Sequence, residues 1–403
     1  MLSWLAPILV FGLVVLVHEL GHFIAAKWLG VYAPRFSIGF GPALWRKRRG
    51  ETEYIIGLLP LGGYVRMASR EDEATAFLEG GSEQGALKTV GASGAEAITS
   101  ELHPEPAPAR QGWDPNAMIP FGPRPVPEHR WFESKPLWAR LVIMFAGVAM
   151  NALLAIFVMS GLYAGYGRPY IPAVVDSVVA GRPAERAGFQ VGDSIVAVNG
   201  QPVRRWSQVT EQIGASAGRE MVLDVRRNGQ PATLRVTPEL VTDTIPELGQ
   251  IRQIGRIGAA SVARIERERV AIGPALALGW NTTWSMANSV VRVVGGLFSG
   301  RVSMSQLGGP IMIAQTSVEA ARSGIETLFS LIAFLSINVA ILNLLPIPIL
   351  DGGQILLNIA ESIKGSAFSM RTREYILRAG LLAIALLFVI VMFNDLKRLV
   401  GLE

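Results

Sequence analysis

The stretch "VLVHELGHFIAAKW" at residues 15–28 places two histidines and a glutamate within five positions of an otherwise apolar run. His18 and His22 are four apart, so on a helix they share one face and both imidazoles can reach a single ion. Zinc suits such a pair, because it accepts neutral imidazoles, a carboxylate and a water in a four-coordinate shell. Glu19, next to the first histidine, is placed to take a proton from water activated at the metal rather than to bind the metal itself. Each ionisable side chain at bilayer depth costs roughly 2.5–3.5 kcal/mol on insertion scales. A hydrophobic segment that retains three such groups has a use for them.

Two histidines need a third ligand. The chain has no cysteine, which excludes thiolates, and only four histidines in all. The carboxylates nearest in sequence are Glu51 and Glu53, in the loop after the apolar run. A better candidate is distant: Asp351, in "NVAILNLLPIPILDGGQILLNI" (338–359). Alone, an Asp-Gly pair after prolines reads as a turn residue capping a helix. Together with the histidine motif, it reads as the third metal ligand.

These residues must be positioned by membrane-spanning elements. Half of the 403 residues are hydrophobic and 17% are charged, and the apolar residues come in blocks. Four blocks are long enough to span a bilayer, about 4–27, 138–163, 325–347 and 376–394. The first lacks the basic start and cleavage site of a signal peptide and is expected to be retained. Four crossings make spans one and three run in the same direction, so Asp351, just past the third, can match the depth of His18 and His22. The basic run Arg46-Lys47-Arg48-Arg49 places the first loop in the cytoplasm, leaving 164–324 outside. The net charge of +5 includes no aromatic-interleaved basic stripe, so no nucleic-acid partner is expected.

Between the spans, "RFSIGFGPALWRKRRGETEYIIGLLPLGGYVRM" (35–67) alternates β-prone runs with Gly and Pro, a pattern of hairpins close to the membrane. Residues 71–130 are rich in Ala, Gly, Glu and Pro and read as a flexible insertion; His103 and His129, in or near it, read as solvated. Residues 271–298 mix Trp280 and Trp284 with Asn281 and Arg292, as an amphipathic interfacial helix would. "IPAVVDSVVAGRPAERAGFQVGDSIVAVNGQPVRRW" (171–206) has short β runs around a one-turn helix and ends in the hairpin signal Asn199-Gly200. That segment resembles a PDZ domain, a fold that can bind a peptide as an added strand.

The expected organisation is a polytopic α-helical membrane protein of four transmembrane helices with a membrane-associated β-hairpin region and an inserted α+β PDZ domain. Its parts are 1–70, the first helix with the hairpins; 71–130, the insertion; 131–165, the second helix; 166–242, the PDZ domain; 243–324, linker and amphipathic helices; and 325–403, the third and fourth helices with the Asp-containing motif.

HELGH in the first span and "NLLPIPILDGG" late in the chain, with "GFGPALW", "TEYIIGLLPLGGYVRM", "GVAMN" (147–151) and "SMSQLGGPIMIAQ" (303–315), make the chain resemble the site-2 protease family of intramembrane zinc metalloproteases. More narrowly, it resembles the bacterial regulator-of-sigma-E protease group. The resemblance implies Zn2+ held by His18, His22 and Asp351, with Glu19 as the catalytic base. It implies Asn343 as an oxyanion donor, and Asn151 as a residue that positions substrate or the catalytic core. The Gly-rich hairpin segment around Ile38–Pro42 and Leu58–Val65, with Gly62 and Gly63, would offer a strand edge to an unwound substrate, with Asn343, Pro346 and Pro348 on the opposite wall. Expected partners are single-span membrane proteins, such as a pre-trimmed anti-sigma factor or remnant signal peptides, and the lipid bilayer. The expected location is the bacterial inner membrane, with the PDZ domain periplasmic and the active site toward the cytoplasm. Two features depart from the family pattern. Gln354 stands where histidine often follows Asp-Gly-Gly, and there is room for one PDZ domain where better-known members have two. A transporter would also explain intramembrane His, Glu and Asn as a pathway, but the spans show no repeat pairing and a transporter has no obvious need for a PDZ-like domain; a non-catalytic zinc-binding scaffold has no use for Glu19.

Overall fold

The computed structural model describes residues 3–68, 127–245, 250–261 and 265–401. A short 3-10 turn leads into helix α1 (Ala6–Trp28), followed by strands β1 (Arg35–Arg49) and β2 (Thr52–Arg66) and helix α2 (Leu137–Tyr166). Next come β3 (Arg168–Tyr170), β4 (Ser177–Val178), α3 (Pro183–Arg186), β5 (Ser194–Val198), β6 (Gln201–Pro202) and α4 (Trp206–Gly214). Strands β7 (Met221–Arg227), β8 (Gln230–Val236), β9 (Glu239–Ile245), β10 (Gln250–Arg256), β11 (Ala259–Ala260) and β12 (Glu266–Glu268) follow. Helices α5 (Ile272–Phe298), α6 (Pro310–Ser323), α7 (Ile325–Asn343), α8 (Asp351–Lys364) and α9 (Met370–Val400) complete the order.

Among the described residues four helical stretches are long and apolar enough to cross a membrane: Ser3–Trp28, Leu137–Tyr166, Ile325–Asn343 and Arg371–Val400. The third is shorter than its apolar run, which continues to 347. Proline disfavours helical backbone at the residue before it, so Pro346 and Pro348 end α7 early and free residues 344–350 to turn. The 271–298 stretch is one continuous helix with a mixed surface. Ala275, Gly279 and Thr283 are buried on one side while Trp280 and Trp284 are exposed.

The chain forms two compact units, residues 1–155 with 308–403, and residues 156–307. In the first, β1 and β2 are long enough to fold back on themselves. Residues 35–38 lie between 53–56 on one side and 63–66 on the other, while 43–49 pair with 52–57. This sheet is pinned to α1 by aromatic contacts: Phe23 meets Phe36 at 5.2 Å and Tyr54 at 6.0 Å between ring centroids. Each such pair adds about 0.5–1.5 kcal/mol beyond simple burial. The Phe132 N–H donates to the Ala68 carbonyl (2.8 Å) and the Tyr32 N–H to the Arg130 carbonyl (2.9 Å). Chain from either side of residues 69–126 therefore meets at one seam. Most of the expected 71–130 insertion, with His103, lies outside the described residues; His129 is exposed.

The second unit is built on an antiparallel sheet of order β6-β5-β7-β8 over a core that includes Val175, Phe189, Ile195, Val209, Met221, Leu223 and Ile257. Asn199 and Gly200 both take positive φ (48° and 76°), the backbone a two-residue hairpin demands. Asp193 is fully buried and accepts from Arg227 Nε (2.7 Å) and Nη2 (2.8 Å) and from the Gln190 N–H (2.9 Å). A boundary at 242 is too early for this unit. Ile257 is buried in the same core and Ala259–Ala260 pair with Ser177–Val178, so the chain returns to the fold after the β9–β10 ribbon.

Glu51, in the turn between β1 and β2, ties the sheet to both flanking elements. It takes paired hydrogen bonds from Arg130 (2.8 and 2.9 Å) and one from Lys27 in the last turn of α1. The Arg130 hydrogen bonds, outweighing partial burial and aided by Lys27, hold its carboxyl down at about 2. A carboxylate depressed on folding stabilises the native state above its unfolded value, about 4.3, and loses that contribution as pH falls through the folded value. Glu51→Gln should therefore lower the thermal midpoint of the detergent-solubilised protein at pH 7. The gap to wild type should narrow steadily as the pH is taken from 5 toward 2; a gap independent of pH would mean that the ion pairs do not stabilise the fold.

Candidate metal centre

Helix α1 carries His18 and His22 on one face, both about 5% exposed. The third residue arrives from 329 positions further along the chain. After α7 ends, the chain turns through 344–350 and α8 begins at Asp351. The two residues after it have no room for a side chain: a Cβ on Gly352 would lie 2.2 Å from the Leu344 carbonyl oxygen, and one on Gly353 2.1 Å from that of Ile347. Close approach of α8 to its own entry turn is what sets Asp351 against α1.

The result is a triangle of potential ligand atoms. Nε2 of His18 lies 3.2 Å from Nε2 of His22, and Oδ2 of Asp351 lies 3.2 Å from the first and 3.4 Å from the second. Nδ1 of His22 donates to the Ile143 carbonyl (2.8 Å), so in the neutral ring Nε2 carries the lone pair. Asp351 Oδ2 is buried with no hydrogen-bond partner. Acceptors crowded together in an apolar setting repel one another, and a divalent cation between them relieves that. Metal–ligand bonds of about 2.0–2.1 Å at tetrahedral angles separate ligand atoms by about 3.3 Å. The residues present fit zinc, and His18, His22 and Asp351 are the only group of three or more His, Asp or Glu able to share an ion among the described residues.

Around the triangle the other expected residues are placed unequally. The Glu19 carboxyl lies within the electrostatic reach of His22, His18 and Asp351 and of the Val65 backbone N–H. A Cβ on Gly63 would stand 3.2 Å from Glu19 Cγ and 2.7 Å from the Ser37 carbonyl oxygen, so the β2 backbone runs directly past the glutamate. Gly62 sits beside the Phe40 ring, where a Cβ would come within 2.2 Å of it. Asn343, the last residue of α7, brings Nδ2 to 3.1 Å from His18 Nε2, beside the triangle. Asn151 is different. It is wholly buried, with Nδ2 3.4 Å from His18 Nδ1, on the far side of the ring from the triangle. Pro346 is exposed; Pro348 packs against Gly380 of α9 and its carbonyl accepts from Gln354 Nε2 (2.9 Å). The prolines thus shape the turn, and Gln354 braces it away from the ligand atoms.

Two contributors escape a reading of side-chain types. The Ile143 carbonyl is a backbone group that any residue would supply. Gly147 acts by having no side chain, and reads from sequence only as close helix packing. A Cβ there would lie 2.5 Å from His22 Nε2 and 2.8 Å from His18 Cε1.

The profile of peptidase family M50 matches residues 6–387. The regulator of sigma-W protease RasP of Bacillus subtilis (strain 168) is 32% identical over 428 aligned positions, which cover 98% of this chain and 98% of its own. The zinc metalloprotease RasP of Bacillus licheniformis is 32% identical with 98% and 99% covered, and that of Geobacillus kaustophilus 31% identical with 98% of each covered.

Gly147→Ala should displace both imidazoles and weaken zinc binding about 10- to 100-fold, the usual cost of disturbing the groups that orient metal ligands. Zinc per chain after dialysis against a chelator measures this. Wild-type retention would show that the rings do not depend on the α2 backbone.

Proposed function

The chain belongs to peptidase family M50 and is a zinc metalloprotease, and from that premise we propose that it hydrolyses peptide bonds inside or at the edge of membrane-spanning helices. His18, His22 and Asp351 hold the zinc, and Glu19 is the general base. The observation that carries this reading is Glu19 itself, set beside the three ligand atoms and against the backbone of β2. A purely structural metal site, as in a non-catalytic scaffold, has no use for a carboxylate there.

Bound zinc supplies a Lewis acid that polarises the scissile carbonyl and makes water a nucleophile near neutral pH. The chain's own residues do the rest. Glu19 takes a proton from the attacking water as the new C–O bond forms, then delivers it to the leaving nitrogen as the C–N bond breaks. Asn343, its amide beside His18 Nε2, donates to the carbonyl oxygen as negative charge develops there. The Asp351 side chain retains 16% exposure, which leaves the site open to water.

A membrane helix must unwind before it can be cut, and its freed N–H and C=O groups need new partners. Among the described residues, 63–66 pair within the sheet only with 35–38 and pass Glu19 on the way, which supports the hairpin as a strand edge for the unwound segment. Substrates of this kind are single-span proteins already trimmed outside the membrane, such as an anti-sigma factor, or leftover signal peptides. That the Bacillus subtilis relative is a regulator of sigma-W protease favours the first. We place the enzyme in the bacterial inner membrane with its active site toward the cytoplasm and the unit inserted between spans two and three outside. That unit is proposed to be a PDZ domain that rejects substrates still carrying large outer domains.

The test uses purified wild type, Glu19→Gln and Gly63→Val with a single-span substrate in detergent. Both variants should keep one zinc per chain. Cleavage should fall by about 10²- to 10⁴-fold in the first and about 100-fold in the second, where the substrate backbone is misplaced. Full zinc with undiminished cleavage in Glu19→Gln would sink the catalytic assignment and favour a scaffold; undiminished cleavage in Gly63→Val would sink the strand edge.

A further inference from the structure

Ile143, Gly147 and Asn151 recur every four residues and form one stripe of α2 facing the two histidines. Ile143 gives its carbonyl to Nδ1 of His22, and Gly147 gives bare backbone to both rings. Asn151 closes the stripe against Nδ1 of His18, and its chemistry there is decided by protons. If His18 presents the lone pair of Nε2 to the metal, its neutral ring carries the proton on Nδ1. That buried N–H needs an acceptor, and the group 3.4 Å away is the Asn151 amide. With the amide nitrogen toward the ring, two donors face each other while Asn151 Oδ1 is buried without a partner. Turning the amide by half a rotation exchanges its isosteric ends and gives the Nδ1–H its acceptor.

We infer that Asn151 is a positioning residue for the metal centre, its amide oxygen accepting from His18 Nδ1–H and so holding the ring in the tautomer and orientation that present Nε2. The inference rests on His18 being a metal ligand, as proposed above. It gives both histidines the same support: an oxygen acceptor from α2 at Nδ1, supplied two helical turns apart, with Gly147 between. The backbone of Asn151 is held in turn, because Ser336 Oγ on α7 donates to its carbonyl (2.8 Å). The helix that leads to Asp351 and the helix that orients His18 are thereby tied at one residue.

Zinc affinity of the full-length protein in detergent, by competition with a chromophoric chelator, tests this without recourse to activity. Asn151→Leu removes the acceptor and should bind zinc about 10- to 100-fold more weakly. Asn151→Asp can only accept, and should bind at least as tightly as wild type. Wild-type affinity in Asn151→Leu, or a tenfold loss in Asn151→Asp, would overturn the inference. If Asn151→Leu does not fold, as judged by size exclusion, Asn151→Asp decides alone. His18→Ala separates the two levels: if it keeps wild-type affinity, the ligand assignment fails and takes this inference with it, whereas neutral Asn151 variants beside a zinc-free His18→Ala overturn only the role of Asn151.

Discussion

Three acceptor atoms, two imidazole nitrogens and a carboxylate oxygen, meet within 3.2–3.4 Å of one another among membrane-spanning helices. Without a cation between them this arrangement is repulsive, and in surroundings of low polarity the repulsion is poorly screened. The fold around the triangle works to keep it together. Helix α1 supplies the four-residue spacing, the broken end of α7 and the glycines of α8 bring Asp351 back, and α2 backs the rings with a carbonyl, a glycine and an asparagine. Each arrangement makes sense as support for a metal site and is costly without one.

The same geometry explains why one β-hairpin matters to a helical protein. A protease that acts on helices in lipid needs backbone partners to offer, and helices have none to spare along their length. Residues 35–66 are the part of the first unit with strand backbone near Glu19, anchored to α1 through Phe23, Phe36 and Tyr54 and clamped at its turn by Glu51. Among the described residues, the rest of the regular sheet lies in the second unit.

Legibility in the sequence followed the range of the interactions. His18, Glu19 and His22 stand out because their relation is local and falls in an apolar run, where idle polar groups are expensive. The four spanning helices were readable for the same reason, apart from the end of α7, where two prolines cut short a run that is apolar to 347. Asp351 emerges only by combining two motifs, since an Asp-Gly pair alone looks like a helix cap. Ile143 was invisible because it acts through its backbone, and Gly147 because it acts through an absence. Asn151 was legible as a polar residue in a span, yet its burial behind His18 required the packing. The return of Ile257 and β11 to the second core was hidden by a strand of two residues after a charged ribbon.

X-ray absorption at the zinc edge of the purified, resting protein tests the central claim most directly, because it counts ligands without assuming any activity. Two imidazoles with only oxygen in the remaining positions is the predicted shell, reduced by one light oxygen ligand in Asp351→Ala. A shell with one or three imidazoles, or one unchanged by loss of Asp351, would contradict the account.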